Sequence, residues 1–209
     1  MDRHRNPNCD APDRMDEHAL VRRLRNGDER AYEMLVRDFG PRMRSIARRF
    51  LPGAQDSADA VQDAFISAFQ SIHSFHEDAS LSTWLHRITA NACLMILRSR
   101  DRHGAAPLDE LLPHFDETGH HACPITRWNE TFAHVATQES RTQVRACIDS
   151  LPEPYRSVLL LRDIEQFDTD QSAHLLGITP ANVKTRLHRA RQMLRVLLEK
   201  AFGSALHTI

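Results

Sequence analysis

Aromatic residues make up only 6% of this 209-residue chain, and glycine occurs seven times. Against that scarcity stand long runs rich in Leu, Ala and Arg, so the expected fold class is all-α. The four cysteines (Cys9, Cys93, Cys123, Cys147) are scattered with no paired spacing. That pattern counts against a disulfide framework and for a reduced, cytoplasmic protein. No apolar run approaches the length that crosses a bilayer, and the first residues are too polar for a signal peptide. Residues 1–15 are expected to be a disordered tail. No glycine-rich phosphate loop is present either, so nothing points to nucleotide hydrolysis. The net charge is −1, yet the charges are segregated. Basic patches fall at 42–49, 87–102 and 184–195, where nucleic acid would feel them within a Debye length.

The most informative stretch runs from Phe167 to Arg195. A short helix is expected over 170–176, with Asp168 or Thr169 as N-cap. Gly177 stands where a left-handed residue ends a helix, and Thr179-Pro180 restarts one as N-cap and first helical residue. Along the second helix Val183, Leu187, Ala190, Leu194 and Leu197 form one apolar stripe. Its other faces carry Asn182, Lys184, Thr185, Arg186, His188, Arg189, Arg191 and Arg195. Such a helix is either a solvated basic surface or a reader of the DNA major groove. The spacing of Ala173, Gly177 and Val183, as in a helix-turn-helix, favours the reader.

Upstream, helices are expected over 17–25 (capped by Asp16, ended by Asn26-Gly27) and from about 28 to 39. Gly40-Pro41 is expected to break the second, with a third apolar stripe running to Leu51 and stopping at Pro52-Gly53. A fourth helix, 57–72, buries Val61, Ala64, Phe65, Ala68, Phe69 and Ile72. Its opposite face holds Asp59, Gln62, Asp63 and Gln70 around Ile66. An isolated apolar residue with a polar rim is as readily a surface isoleucine as the centre of a docking patch. A long helix over 83–103 follows. Trp84, Ile88, Ala92, Met95 and Ser99 share one side, and Arg87, Asn91, Leu94 and Arg98 line the next. The second stripe is a solvated flank or a further nucleic-acid surface, and Phe75 and Trp84 are stacking groups or core.

Residues 104–137 read as a flexible, acidic linker punctuated by prolines, with short helices near 108–112 and 126–136. His114, His120, His121, Cys123 and His134 lie in or beside these, but match no closed four-ligand zinc pattern. No metal and no cofactor is expected. Residues 138–203 form a compact four-helix module, with Val144, Cys147, Ile148 and Leu151 turned inward, and then Tyr155, Val158, Leu159 and Leu161 or Arg162 along the next helix.

Three ordered segments carry a family resemblance: DAVQDAFISAF (59–69), STWLHRITANACLMILRSR (82–100) and SLPEPYRSVLLLRDIEQFDTDQSAHLLGITPANVKTRLHRAR (150–191). Together they resemble the extracytoplasmic-function (ECF) group of the sigma-70 family, bacterial sigma factors that keep only the second and fourth sigma domains. The resemblance spans about 19–198, apart from the linker. It implies two helical domains, at 16–103 and 138–203, that bind core RNA polymerase and promoter DNA and direct strand opening and transcription initiation. It implies no catalysis and no small-molecule substrate, and an anti-sigma factor is a further partner of this group. Asp59, Gln62, Asp63 and Ile66 fall on the helix that docks polymerase. Arg87, Asn91 and Arg98, with Trp84, fall on the minus-ten surface, and the loop through Phe75 and Leu81 would pocket a flipped base. Asn182, Lys184, Thr185, Arg186, His188 and Arg189 fall on the helix that reads the minus-thirty-five element. The chain departs from the family pattern at three places. Met95 replaces a polar residue, Gln171-Ser172 replaces an acidic-aliphatic pair, and Ala181-Asn182 replaces a small pair. The rival readings are a dimeric helix-turn-helix regulator, for which no dimer helix is evident, and a metal hydrolase, for which no catalytic spacing is.

Overall fold

The computed structural model describes residues 17–101 and 138–203. The expectations for 1–16 and 102–137, including the Asp16 cap, the linker helices and the histidine-rich segment, lie outside the described residues. Eight α-helices occur within them: α1 (Glu17–Arg25), α2 (Glu29–Phe50), α3 (Ala54–Ser71), α4 (Leu81–Asp101), α5 (Gln138–Asp149), α6 (Glu153–Leu159), α7 (Thr169–Leu176) and α8 (Pro180–Gly203). A 3-10 turn (Ile72–Ser74) follows α3, and a π-helical turn (Leu160–Ile164) extends α6.

Helices α2, α3 and α4 pack on one another, and α1 closes the bundle against α2. Gly27, at φ 73°, reverses the chain between α1 and α2, and Asp28 caps α2 through the Arg30 N–H. Leu24, Leu35, Met43, Phe50, Leu51, Leu81, Leu85 and Leu94 are completely enclosed. Burial of each such side chain contributes about 1.5–3 kcal/mol.

Gly40-Pro41 does not break the second helix, contrary to expectation: α2 runs through Pro41 without interruption. Ala31, Leu35, Phe39, Met43, Ile46 and Phe50 keep one helical register across the pair, so a single continuous helix places them all on the core side. Gly40 removes the local obstacle. A side chain before proline clashes with the proline ring in helical geometry, and glycine has no Cβ to clash.

Two further expectations are corrected in α4, which starts at Leu81 rather than Thr83. Leu94 is buried, whereas Met95 is 61% exposed. The polar stripe is therefore Arg87, Asn91, Met95 and Arg98, and Leu94 belongs to the core.

In the second bundle α6, α7 and α5 each pack against α8. The π-helical turn gives α6 its exit. The Glu165 N–H donates to the Leu160 carbonyl at 2.8 Å and the Phe167 N–H to the Leu161 carbonyl at 2.9 Å. Gln166 takes the left-handed conformation that this closure requires, with φ 59°. The widened turn brings the Glu165 side chain inward, leaving it 3% exposed, with Ile164 outside.

The two bundles touch along a polar seam. Arg49 of α2 donates to both Glu165 carboxylate oxygens, from Nε and, at 3.0 Å, from Nη2. His86 Nε2 of α4 lies 2.8 Å from the same carboxylate, and the His86 and Phe167 rings are 4.8 Å apart. Arg145 of α5 donates to the carbonyls of Arg48 and, at 3.0 Å, Arg49. Burial pulls the Glu165 carboxyl upward, but hydrogen bonds from His86 and Arg49, with the Arg49 charge, outweigh it and hold the group below the usual carboxylate range.

Candidate nucleic-acid interface

The α7–α8 unit is built by its caps. Asp168 accepts from the Gln171 N–H at 2.7 Å, and Gln171 Oε1 accepts from the Asp168 N–H at 3.1 Å, a closed capping box. Gln171 thus has a defined local role in a pair that departs from the family pattern. Ser172, its neighbour, is buried and donates from Oγ to the Asp168 carbonyl at 2.8 Å. Gly177 ends α7 in the left-handed region at φ 66°. Thr179 Oγ1 then accepts from the Asn182 N–H at 3.2 Å, capping α8 ahead of Pro180.

Val183, Leu187 and Ala190 are buried as the stripe required, and Met193 joins them where the sequence suggested Leu194, which is half-buried. Asn182, Lys184, Thr185, His188 and Arg189 are exposed, with Arg186 partly so. They lie in the N-terminal turns of α8, the part of a recognition helix that meets base edges. The Thr185 hydroxyl is turned back to the Ala181 carbonyl at 3.1 Å. Arg191 and Arg195 are engaged elsewhere, with Asp163 and Glu199 respectively. They support the helix more than they extend its free basic face.

On α4, Arg87, Asn91 and Arg98 are exposed on the face that Met95 also occupies. Met95 is the largest exposed apolar residue there, so the residue that departs from the family pattern shares a face with these three polar side chains. Arg98 donates to the Leu175 carbonyl of α7.

Phe75 and Leu81, on the segment expected to pocket a base, lie inside the bundle in this structure. Both are buried, at 4% and 0% exposure, and the Phe75 ring packs 5.1 Å from the half-buried Trp84 ring. Apolar burial in this core outcompetes presentation to solvent. Phe75 and Val21 form the apolar side of a hollow beside α1, whose other side is polar, with Glu17, His18, Glu77, Asp78 and Ser80. Arg25 holds it together, with Nη2 2.5 Å from the Phe75 carbonyl and Nη1 3.1 Å from Glu77. Glu77 titrates below the ordinary carboxylate range, chiefly through its hydrogen bond with His18 and despite partial desolvation.

Asp59, Gln62, Asp63 and Ile66 are all exposed on α3, spaced i, i+3, i+4 and i+7 on one face. Ile66 is 44% exposed. This acidic face with an apolar centre lies on a different helix from either basic face.

Two all-α bundles, the second a capped helix-turn-helix with an open basic N-terminal face, define a protein that reads DNA. Residues 35–103 match the family model for sigma-70 region 2, and residues 141–194 match that for sigma-70 region 4. The chain is 33% identical over 172 residues to the ECF RNA polymerase sigma factor SigM of Mycobacterium tuberculosis, covering 82% of this chain and 79% of that one. It is 28% identical over 183 residues to the ECF RNA polymerase sigma-E factor of Escherichia coli, covering 87% and 94%. CnrH, solved in complex with the cytosolic domain of CnrY, shares the fold with a TM-score of 0.53 at 24% identity, over 88% of this chain and 97% of that one. The chain belongs to the ECF group of the sigma-70 family.

Proposed function

We propose that this chain is a sigma factor whose three exposed faces divide the work of initiation. It binds core RNA polymerase, directs it to promoters and takes part in strand opening. The observation that carries this reading is that the acidic α3 face and the two basic DNA-type faces occupy separate helices, so polymerase and DNA need not compete for one surface. Asp59, Gln62, Asp63 and Ile66 dock polymerase, with Ile66 as the apolar centre of a polar rim. Arg87, Asn91 and Arg98 meet the minus-ten element, with Met95 among them as an apolar contact. Asn182, Lys184, Thr185, Arg186, His188 and Arg189 meet the minus-thirty-five element, where Arg and Asn can read bases and Lys and Arg hold phosphate.

The chain acts in the cytoplasm without catalysis of its own, and strand opening draws on binding energy. RpoE of Bartonella quintana was solved with the anti-sigma factor NepR, and a protein of that kind is a fitting regulator here.

Run-off transcription with added core polymerase tests the reading: a promoter-specific transcript should appear only when this chain is present. Asp63→Arg replaces an exposed attraction with repulsion and should abolish co-purification with core enzyme at unchanged helicity. Retained co-purification would remove the docking face from the account.

A further inference from the structure

The C-terminal half of α2 borders a hollow of about 470 Å³, lined by Pro41, Arg44, Ser45, Arg48, Arg49 and, from α5, Arg145. Four of these six residues are arginines and none is acidic. The four guanidiniums are not equivalent. Glu165 compensates Arg49, which also donates from Nη1 to the Ser45 hydroxyl at 3.3 Å. Asp149 compensates Arg145, whose Nε donates to its carboxylate while Nη2 donates to the Arg48 and Arg49 carbonyls. Arg44 and Arg48 are exposed, and their side chains have no carboxylate or hydrogen-bond partner among the described residues.

Standing at i and i+4 on one helix, Arg44 and Arg48 repel each other, which costs α2 stability. The helix macrodipole accounts for cations in the last turn, such as Arg48 and Arg49. It does not account for Arg44, which lies before that turn, and Arg145 already covers the carbonyls at that end. The repulsion is left over, and an anion in the hollow relieves it. Two uncompensated cations beside a third favour a ligand with several negative charges over a single carboxylate.

Shape and donor type narrow the ligand further. Guanidinium forks match the paired oxygens of a phosphate group. Ser45, whose oxygen accepts from Arg49, keeps its hydroxyl proton to donate. The volume falls within the range of small-molecule sites, about 300–1,000 Å³. Cations from two helices converge on one hollow, whereas a nucleic-acid backbone is tracked by a basic groove.

We propose that this arginine-lined hollow binds a compact polyphosphate, either the di- or triphosphate group of a nucleotide or a short inorganic chain. Arg44 and Arg48 hold the phosphates, Arg145 faces them from α5, and Arg49 positions the Ser45 hydroxyl. None of these residues belongs to the docking or DNA-reading faces, so the inference does not rest on the sigma-factor reading.

Calorimetric titration of the full chain with tripolyphosphate, ATP and GTP tests the hollow, at about 0.15 M salt to screen scattered surface charge. One saturable site is expected, and the thermal midpoint should rise as it fills. Arg44→Ala and Arg48→Ala should each weaken binding by roughly fivefold or more at unchanged circular dichroism. Arg30→Ala, at the other end of α2, should leave binding unchanged. If a hollow variant loses helicity, Arg44→Lys and Arg48→Lys, which keep the charge but not the fork, must still weaken it. Nucleotides that bind more tightly than tripolyphosphate would assign the site to a nucleotide, and equal or weaker binding would assign it to the inorganic chain. No saturable binding, full affinity in the hollow variants, or an equal loss in Arg30→Ala would overturn the proposal. So would a single-stranded oligonucleotide that displaces tripolyphosphate at a lower phosphate concentration, because the hollow would then be part of a nucleic-acid track.

Discussion

The Arg191 guanidinium forks onto Asp163, with Nε and Nη2 at 2.8 and 2.6 Å from its two carboxylate oxygens. This pair ties the middle of α8 to the π-helical turn before the helix-turn-helix. It fixes the recognition helix from behind and raises the Arg191 pKa above its ordinary value, first through the hydrogen bond and then through the Asp163 charge, against a little desolvation.

Asp163→Asn keeps the shape but removes the charge. Because the Arg191 side chain is 57% exposed, solvent screening limits the loss to about 0.5–1 kcal/mol. Urea denaturation should show that loss at low ionic strength and a smaller one at high salt. An unchanged midpoint at both would mean that the pair contributes no stability.

Pro41 should be the easiest place to stabilise the chain. Proline inside a helix removes one backbone hydrogen bond and costs about 3 kcal/mol relative to alanine. Here its ring faces solvent, and Arg37, whose carbonyl loses its partner, is exposed, so water recovers part of that cost. Pro41→Ala should raise the stability of the N-terminal bundle by roughly 1–3 kcal/mol, read as a higher urea midpoint with an unchanged slope. A lower midpoint would show that the proline shapes α2 in a way that the core needs.

The Gly40-Pro41 pair also shows where sequence reasoning runs out. Local punctuation predicts a break, but the apolar register from Ala31 to Phe50 already points to one helix, and tertiary packing decides in favour of the register. The helix-turn-helix was legible because its caps are local: Asp168, Gly177 and Thr179-Pro180 act on residues three or four positions away. The α3 face was legible for the same reason, since Asp59, Gln62, Asp63 and Ile66 repeat with the helix. Periodicity could not separate Leu94 from Met95, adjacent residues about 100° apart on the helix, because both are apolar. Phe75 and Leu81 turn inward because of Trp84 and α1, contacts without a sequence signal. The least legible feature was Glu165. An acid beside a loop reads as a solvated residue, and its partners Arg49 and His86 lie 116 and 79 positions away.

Cys93 sits in the core of α4 with no exposed surface. Burial, and then the nearby Glu165 carboxylate, push its thiol up to about 12. The thiolate is the reactive form, so Cys93 should resist alkylation by iodoacetamide at pH 8 in the native protein and react fully in urea. Mass spectrometry of the peptide containing Cys93 reads this directly. Rapid native labelling would mean that α4 opens readily to solvent.

Acid should weaken the seam through Glu165. Its carboxyl lies below the usual range in the folded protein, so unfolding or opening takes up a proton once the pH falls below the unfolded value of about 4.3. The contribution is fully present above that value and is lost as the pH drops through the folded value. The groups facing it are Arg49 and His86, with the Cys93 thiol behind. Glu77 and Asp28 are also held low, so the wild-type acid limb alone does not isolate Glu165. The difference between wild type and Glu165→Gln does, because the other groups cancel. Glutamine keeps the shape but loses charge-assisted hydrogen bonds, a cost of about 1–3 kcal/mol at neutral pH. That gap in urea midpoint should persist at pH 5 and narrow progressively below about pH 4.3. A gap that stays constant to pH 3 would show that the Glu165 charge contributes nothing to holding the two bundles together.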